Sequence, residues 1–187
     1  MGTRVHRVAA AAAAGIMLAS STVLAADAET TQPPALRDDF ARTSGGYCFI
    51  DIDTDTERCA ATEAAARTMV KDRTLFMTAW AKPKWQGKYI SFFTKVSQPC
   101  SWPQIFGKTR DLRKHHVGLP GKQNWNNRIS SLVMRKGCKV TLYAQKDFEG
   151  NSTDWLGTTG RLGRVPDPGD NWNNAATSML YGGTSPD

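Results

Sequence analysis

Two stretches of the sequence decide the fold: KVTLYAQKDFEG at residues 139–150 and NWNNAATSM at residues 171–179. Each has an earlier counterpart, FMTAWAKPKWQG at residues 76–87 and NWNNRISSL at residues 124–132. The first pair shares an aromatic residue, four residues, a second aromatic residue, one residue and a glycine. Because both pairs occur in the same order along the chain, the sequence predicts a duplicated structural unit.

Each half-motif suits a β fold. Two aromatic side chains can cover a hairpin turn, and the glycines, Gly87 and Gly150, permit a positive φ. Paired asparagines favour a turn, because asparagine tolerates the left-handed region and bonds to its own backbone. Ser131 and Ser178 are expected to bond back to that asparagine turn. Two such repeats predict eight short strands in two packed sheets.

The two repeats are unequal in length. The half-motifs are 46 residues apart in the first repeat and 30 in the second, which places a 16-residue insertion between Phe93 and Gly121. This segment contains His115 and His116. Adjacent histidines point in different directions on regular elements and no metal-ligand spacing accompanies them. A solvated basic loop at residues 108–116 is therefore the expectation.

These motifs resemble the paired Greek-key motifs of the βγ-crystallin superfamily, over residues 73–181. The resemblance implies an all-β, two-Greek-key sandwich, with repeat one at residues 73–134 and repeat two at residues 138–181. The crystallin-like domain is expected to extend over residues 73–187. Trp85 stands where the family prefers phenylalanine, so the first repeat is the less typical.

The resemblance also implies two calcium sites, because calcium accepts amide, hydroxyl and backbone oxygens. Carried over by position, the ligands of one site are Asn126, Asn127 and Ser130, those of the other are Asn173, Asn174 and Thr177, and carbonyls around Gln86 and Glu149 complete them. Neutral asparagines and the cation Arg128 predict weak binding. The alternative is that these residues only fix the turn and bind no ion.

The N-terminal part of the chain has a different character. Residues 1–26 have a basic start, an alanine-rich apolar run and small-residue cleavage sites, which is typical of a secretory signal peptide. Cleavage would leave 22 basic against 17 acidic side chains, a net charge of +5. Residues 27–43 are expected to be a flexible leader. Residues 44–72 are expected to form a disulfide-closed hairpin and a helix over Ala60–Lys71.

Four cysteines in an exported chain predict two disulfides, and three pairings are possible. Cys48–Cys59 is favoured because the short gap suits a hairpin, which leaves Cys100–Cys138. The segment 51–57 between the first two cysteines alternates acidic residues like the start of an EF-hand loop. It lacks the required glycine and bidentate glutamate. An exposed face of the hairpin is the favoured interpretation.

The sequence contains none of the common catalytic motifs, so a non-enzyme is predicted. The protein is further expected to be secreted and monomeric, without a membrane span. Calcium binding is one functional hypothesis. A second is a proteinase inhibitor, in which Cys100–Pro103 would form a disulfide-tethered loop. A third is a killer-toxin-like or cell-surface-binding module, for which the positive charge suggests an acidic polymer as partner.

Overall fold

The computed structural model of the chain describes residues 33–34, 40–43, 46–97, 99–100, 105–116, 123–164 and 171–183. The predicted signal peptide, most of the predicted leader and the loop at residues 101–104 lie outside this part. Within it, no helix combines the length and the apolar composition that crossing a membrane requires.

The described elements are mostly strands. They are β1 (Ala41–Thr43), β2 (Gly46–Asp51), β3 (Thr56–Ala60), β4 (Thr74–Lys82), β5 (Gln86–Thr94), β6 (Ile105–Thr109), β7 (Ser131–Met134), β8 (Cys138–Tyr143) and β9 (Ser178–Gly183). One α-helix, α1, spans Glu63–Val70, and short 3-10 turns lie at Leu112–Lys114, Lys146–Phe148 and Leu162–Arg164. Aromatic and β-branched residues favour the strand conformation in β4 and β5.

The strands form two sheets. The larger has the order β1-β2-β5-β4-β7, with β3 paired to the other edge of β2, and the smaller has the order β6-β9-β8. Strand β6 belongs to repeat one, yet it pairs with β9 of repeat two. In return, Thr159 of repeat two forms an isolated bridge with Leu132 in β7 of repeat one. Each repeat therefore contributes a segment to the other repeat's sheet, as paired Greek keys do.

The predicted all-β crystallin-like sandwich is thus confirmed. Among the residues that the structure describes, six of the eight predicted strands are regular, β4 to β9. In repeat two the remaining pairing is reduced to isolated bridges at Ser152, Leu156 and Thr159. Strand β6 lies in the segment between Phe93 and Gly121 for which the 16-residue insertion is predicted.

A buried aromatic cluster joins the two sheets. The ring of Tyr181 in the smaller sheet lies 5.0 Å from Phe76 and 6.0 Å from Phe92 in the larger one, measured between centroids. Phe106 in β6 packs edge-on against Phe76 at 5.1 Å. Such large side chains bury much of the apolar surface that stabilises a β-sandwich.

The N-terminal extension continues the larger sheet. Strand β2 pairs with β5 in parallel, at Ile50↔Phe92 and Asp51↔Phe93. Helix α1 starts with Thr62 as its N-cap, whose hydroxyl accepts a hydrogen bond from the Ala65 amide at 3.2 Å. The helix begins after residue 60 because Thr56–Ala60 is used by β3.

A separate apolar cluster packs the extension on the sheet. It consists of Phe40, Phe49, Ala66 and Phe93, all almost inaccessible to solvent. Ala41–Thr43 pairs with β2, so this end of the expected flexible leader is a strand. The extension therefore shares a strand pairing and an apolar cluster with the larger sheet of the sandwich.

Both expected disulfides are present. Cys48–Cys59 joins directly opposite residues of β2 and β3. Cys100–Cys138 links the segment before β6 to the start of β8.

The acidic segment 51–57 is only in part the exposed hairpin face that was expected, since Asp53 is exposed whereas Asp51 is not. Asp51 is fully buried, and its carboxylate is paired with Arg73 at 2.7 Å and Arg58 at 2.9 Å. Asp53 accepts hydrogen bonds from the Thr94 hydroxyl at 2.7 Å and from the Lys95 amide at 2.8 Å. Apart from Arg58 in the neighbouring strand β3, these partners lie far along the chain, so local spacing could not reveal them.

His115 also differs from the expected solvated loop. Its side chain is only 1% exposed, and Nε2 lies 3.2 Å from Asp55 Oδ1. Asp55 Oδ2 accepts a hydrogen bond from the Arg110 amide at 3.0 Å, and Glu57 accepts one from the His116 amide at 2.7 Å. The acidic hairpin thus docks on residues 110–116.

Candidate functional site: two facing asparagine turns

The two NWNN segments form equivalent turns. In each, the first asparagine accepts a hydrogen bond from a backbone amide two residues on: Asn126 N donates to Asn124 Oδ1 at 3.2 Å and Asn173 N to Asn171 Oδ1 at 3.0 Å. The last asparagine is left-handed, with φ 54° at Asn127 and 58° at Asn174. Asparagine is well suited to both roles.

The two turns face each other. The Asn127 amide donates to the Ala176 carbonyl, and the Asn174 amide donates to the Ile129 carbonyl, both at 3.0 Å. This reciprocal exchange brings the asparagine motif of one repeat against that of the other.

The hydroxyl oxygen of Ser130 lies close to two other oxygen atoms. This Oγ is 3.2 Å from the Ala81 carbonyl oxygen and 2.9 Å from Asn174 Oδ1. One hydroxyl proton cannot serve both acceptors, so the cluster is rich in oxygen relative to protons. In repeat two, Thr177 Oγ1 donates to the equivalent Ala144 carbonyl at 2.8 Å.

This arrangement differs from the expected grouping of ligands. The sequence placed Ser130 with Asn126 and Asn127 of its own repeat, whereas the structure pairs Ser130 with Asn174 of the other repeat. The difference arises because the turns exchange backbone hydrogen bonds across the repeats. The carbonyls of Ala81 and Ala144 were not anticipated, although their equivalent places in the repeat could have indicated them.

The turn geometry does not account for the side chains of the remaining two asparagines, Asn126 and Asn173. Asn126 Oδ1 and Asn173 Oδ1 are both buried, and neither has a hydrogen-bond partner. They occupy equivalent positions in the two repeats. A buried oxygen without a donor costs free energy, so a cation bound at either position would gain an oxygen that no described donor occupies.

Other predicted site residues are less well placed. The side chains of Gln86 and Glu149 are exposed, and the Glu149 carbonyl accepts a hydrogen bond from the Gln145 amide at 3.1 Å. No described hydrogen bond joins either residue to the asparagine turns. Arg128 is half-buried, and no bond from it to the amide oxygens of Asn126 or Asn173 occurs.

The two serines that end the motifs bond to a different turn from the one expected. Ser131 Oγ donates to the Lys82 carbonyl at 2.8 Å and accepts from the Trp85 amide at 3.0 Å. Ser178 Oγ makes the equivalent bonds with Gln145 and Phe148. Because each serine starts a strand, it reaches the aromatic hairpin of its own repeat instead of the asparagine turn.

The aromatic hairpins have the predicted geometry. Gly87 and Gly150 have φ 80° and 75°, and the Tyr143 and Phe148 rings meet edge to face at 5.7 Å. Ala81 and Ala144, whose carbonyl oxygens accept hydrogen bonds from Ser130 and Thr177, belong to these hairpins.

Within the described residues, one group of three potential His, Cys, Asp or Glu ligand atoms lies close together, at Cys48, Glu57 and Cys59. Both sulfurs are in a disulfide, which removes them as metal ligands. Oxygen atoms of the asparagine turns therefore offer the better place for a cation.

Comparison with known proteins finds similarity among solved structures. A βγ-crystallin domain from Flavobacterium johnsoniae is 19% identical, with 60% of this chain and 99% of that chain covered and a TM-score of 0.40. The N-terminal domain of Protein S is 22% identical, covering 57% and 93%, with a TM-score of 0.37. A double mutant of clostrillin, in complex with nickel, is 18% identical, covering 58% and 98%, with a TM-score of 0.39.

No family model and no curated protein sequence matches the chain. The similarity to solved structures concerns the fold alone, and no functional residue is carried over from them.

Proposed function

We propose that this chain is a secreted, non-enzymatic βγ-crystallin-like protein that binds calcium weakly at the facing asparagine turns. The observation that carries the proposal is the pair of buried, unpartnered oxygens, Asn126 Oδ1 and Asn173 Oδ1. The convergence of Ala81 O, Ser130 Oγ and Asn174 Oδ1 supports it further. Calcium takes amide, hydroxyl and carbonyl oxygens of this kind.

The charge of the oxygen ligands determines the expected affinity for calcium. Asn126, Ser130, Asn173, Asn174 and Thr177 are all neutral, so no carboxylate offsets the charge of the ion. Affinity in oxygen sites rises with the number of charged ligands, which places the expected Kd roughly between tens of micromolar and millimolar. Millimolar calcium occurs outside cells, and the two disulfides support an exported protein.

Calorimetric titration of residues 27–187 with calcium chloride, paired with thermal melts, tests the proposal. A ligand of the folded state stabilises it by about 1.4 kcal/mol at ten times its Kd. Calcium should therefore raise the midpoint, and a chelator should reverse the rise. Magnesium chloride at the same ionic strength is the control for salt effects. A midpoint that is equally unmoved by calcium and magnesium at 10 mM would refute calcium binding.

Two variants locate the ion. Asn126→Ala with Asn173→Ala removes both unpartnered oxygens and should abolish the calcium-induced rise. Thr68→Ala removes an exposed hydroxyl oxygen on helix α1, away from the turns, and should retain it. If both proteins respond like the parent, calcium binds elsewhere.

The Cys100–Pro103 loop, on which the inhibitor hypothesis depends, lies largely outside the described residues. No described contact favours that hypothesis or the cell-surface module over ion binding.

A further inference from the structure

A cleft lies where the N-terminal extension meets the larger sheet, and none of its lining residues belongs to the asparagine turns. Its volume is about 450 Å³, which is within the usual range for small-molecule sites. Helix α1, the start of β4, the end of β5 and the residue after β7 line it. These residues are Arg67, Val70, Arg73, Thr74, Leu75, Phe93 and Arg135.

The lining has three arginines and no acidic residue. Two of the three arginines are neutralised by carboxylates outside the cleft. Arg73 Nη1 lies 2.7 Å from Asp51 Oδ1 and 3.2 Å from Asp53 Oδ2. Arg67 contacts Glu63 Oε1 through two nitrogens, at 3.0 and 2.7 Å.

Arg135 is different. Its backbone amide donates to the Phe76 carbonyl at 2.8 Å, which anchors the residue beside β4. Its side chain is exposed and makes no ion pair or hydrogen bond with any other described residue. The cleft therefore contains one cation whose charge is not balanced by a described neighbour.

The rest of the lining is largely apolar. Val70 and Leu75 are half-buried and form the walls between the arginines, whereas Phe93 is only 5% exposed and belongs to the apolar cluster under helix α1. A bare inorganic anion would leave these walls in contact with water, whereas a neutral apolar molecule would leave Arg135 unused.

From this lining we propose that the cleft binds a small ligand with one anionic group on an apolar body. A guanidinium forms two parallel hydrogen bonds with a carboxylate or a phosphate, and the apolar body covers Val70, Leu75 and Phe93. Arg67 and Arg73, each already paired with a carboxylate, border the anion. The single unbalanced charge selects a ligand with one anionic group over a polyanion.

Anilinonaphthalene sulfonate tests the proposal directly, because it has one sulfonate on an aromatic body and fluoresces when bound in apolar surroundings. Residues 27–187 in their folded, oxidised form should bind it saturably with one site. Decanoate and decyl phosphate should displace it, whereas inorganic phosphate and decanol at equal concentration should not. Decanoate and decyl phosphate distinguish a carboxylate ligand from a phosphate ester. Inorganic phosphate tests the anionic group without the chain, and decanol tests the chain without the charge.

Arg135→Gln should raise the dissociation constant at least fivefold. Because the Arg135 side chain is exposed and unpaired, this variant should melt at the parent temperature. Arg164→Gln removes an equal charge from an exposed residue that does not line the cleft, and its affinity should match the parent.

The proposal is overturned if binding is not saturable, if Arg135→Gln and Arg164→Gln bind with equal affinity, or if decanol displaces the probe as well as decanoate does. Displacement by inorganic phosphate as effective as by decyl phosphate would also overturn it, since the apolar walls would then play no part. Failure of calcium binding bears on none of these results, because the asparagine turns and the cleft share no residue.

Discussion

The carboxylate of Asp51 and the guanidinium of Arg73 form an ion pair inside the protein. Their nearest atoms are 2.7 Å apart, and the side chains are 0% and 6% exposed. Arg58 contacts the other oxygen of Asp51 at 2.9 Å, and Arg73 also reaches Asp53 at 3.2 Å. Asp51 ends strand β2 of the extension, and Arg73 immediately precedes β4 of the sandwich. This pair therefore ties the extension to the domain it packs on.

Removal of Arg73 should be costly. Arg73→Met leaves Asp51 buried with Arg58 alone, and breaking a buried pair typically costs about 3–5 kcal/mol. The free energy of unfolding, measured in urea, should fall by that amount. Glu63→Gln is the matched control, because the Glu63–Arg67 pair is on the surface of helix α1 and should contribute less than about 0.5 kcal/mol. Equal losses in the two variants would contradict the structural role assigned to Asp51 and Arg73.

The contrast between Asp51 and Gly150 shows what the sequence could predict. Gly150 lies in a repeated motif, so its positive φ followed from comparing two copies of one pattern. Asp51 has no repeat partner, and its buried counter-ion, Arg73, is 22 residues away. Alternating acidic residues looked like a solvated hairpin, because the pattern contains no information about a distant arginine. The repeats therefore predicted the sandwich, while the docking of the extension depended on non-local contacts.

The candidate site was predicted in part for a similar reason. The asparagines and hydroxyls could be found in the sequence, since both repeats carry them. Their grouping could not, because it depends on which repeat's turn lies against Ser130, and the structure places Asn174 there. The same limit explains why His115 was expected in solvent although it is buried against Asp55.

The turns also yield a prediction that separates asparagines with different roles. Asn124 and Asn171 accept backbone hydrogen bonds, so Asn124→Ala should lower the stability of the calcium-free protein by about 1 kcal/mol. Asn126→Ala removes an unpartnered buried oxygen and should leave that stability nearly unchanged, or raise it. Unfolding in urea with excess chelator measures both. If Asn126→Ala proves the more damaging, its amide has a structural partner and the cation interpretation loses its main support.

Gly150 should resist substitution. Its φ is 75°, a region that costs other residues about 1–2 kcal/mol. A β-carbon there would also lie 3.0 Å from Gln145 Cγ, within the same hairpin. Gly150→Ala should thus lower the free energy of unfolding by at least about 1 kcal/mol.

Gly157→Ala is the matched control for that substitution. Its backbone is not left-handed, and the nearest atom to a new β-carbon is Lys139 Nζ at 3.5 Å, an ordinary contact. Its effect should stay within about 0.5 kcal/mol. Similar losses at the two glycines would show that the backbone conformation at Gly150 is not the cause.

The phenol of Tyr181 predicts how stability responds to alkali. Burial raises the pKa of Tyr181 well above its ordinary value of 10.0; the negative charge of Asp55 adds to the rise, and the hydrogen bond with Thr109 at 2.8 Å opposes it. The folded state therefore keeps this proton while the unfolded state loses it. Stability from this group is fully present below pH 10 and falls as the pH rises towards the folded-state pKa, by up to about 1.4 kcal/mol per pH unit.

Tyr181→Phe should remove this dependence. At neutral pH the variant loses the Thr109 hydrogen bond, at a cost of about 1 kcal/mol, but its stability should decline less steeply between pH 10 and 11 than that of the parent. Tyr143→Phe retains Tyr181 and alters a half-buried phenol, so its decline should follow the parent. Urea unfolding at half-unit pH intervals gives the slopes. Parallel slopes for the parent and Tyr181→Phe would mean that another group controls alkaline unfolding, since a phenylalanine has no proton to lose.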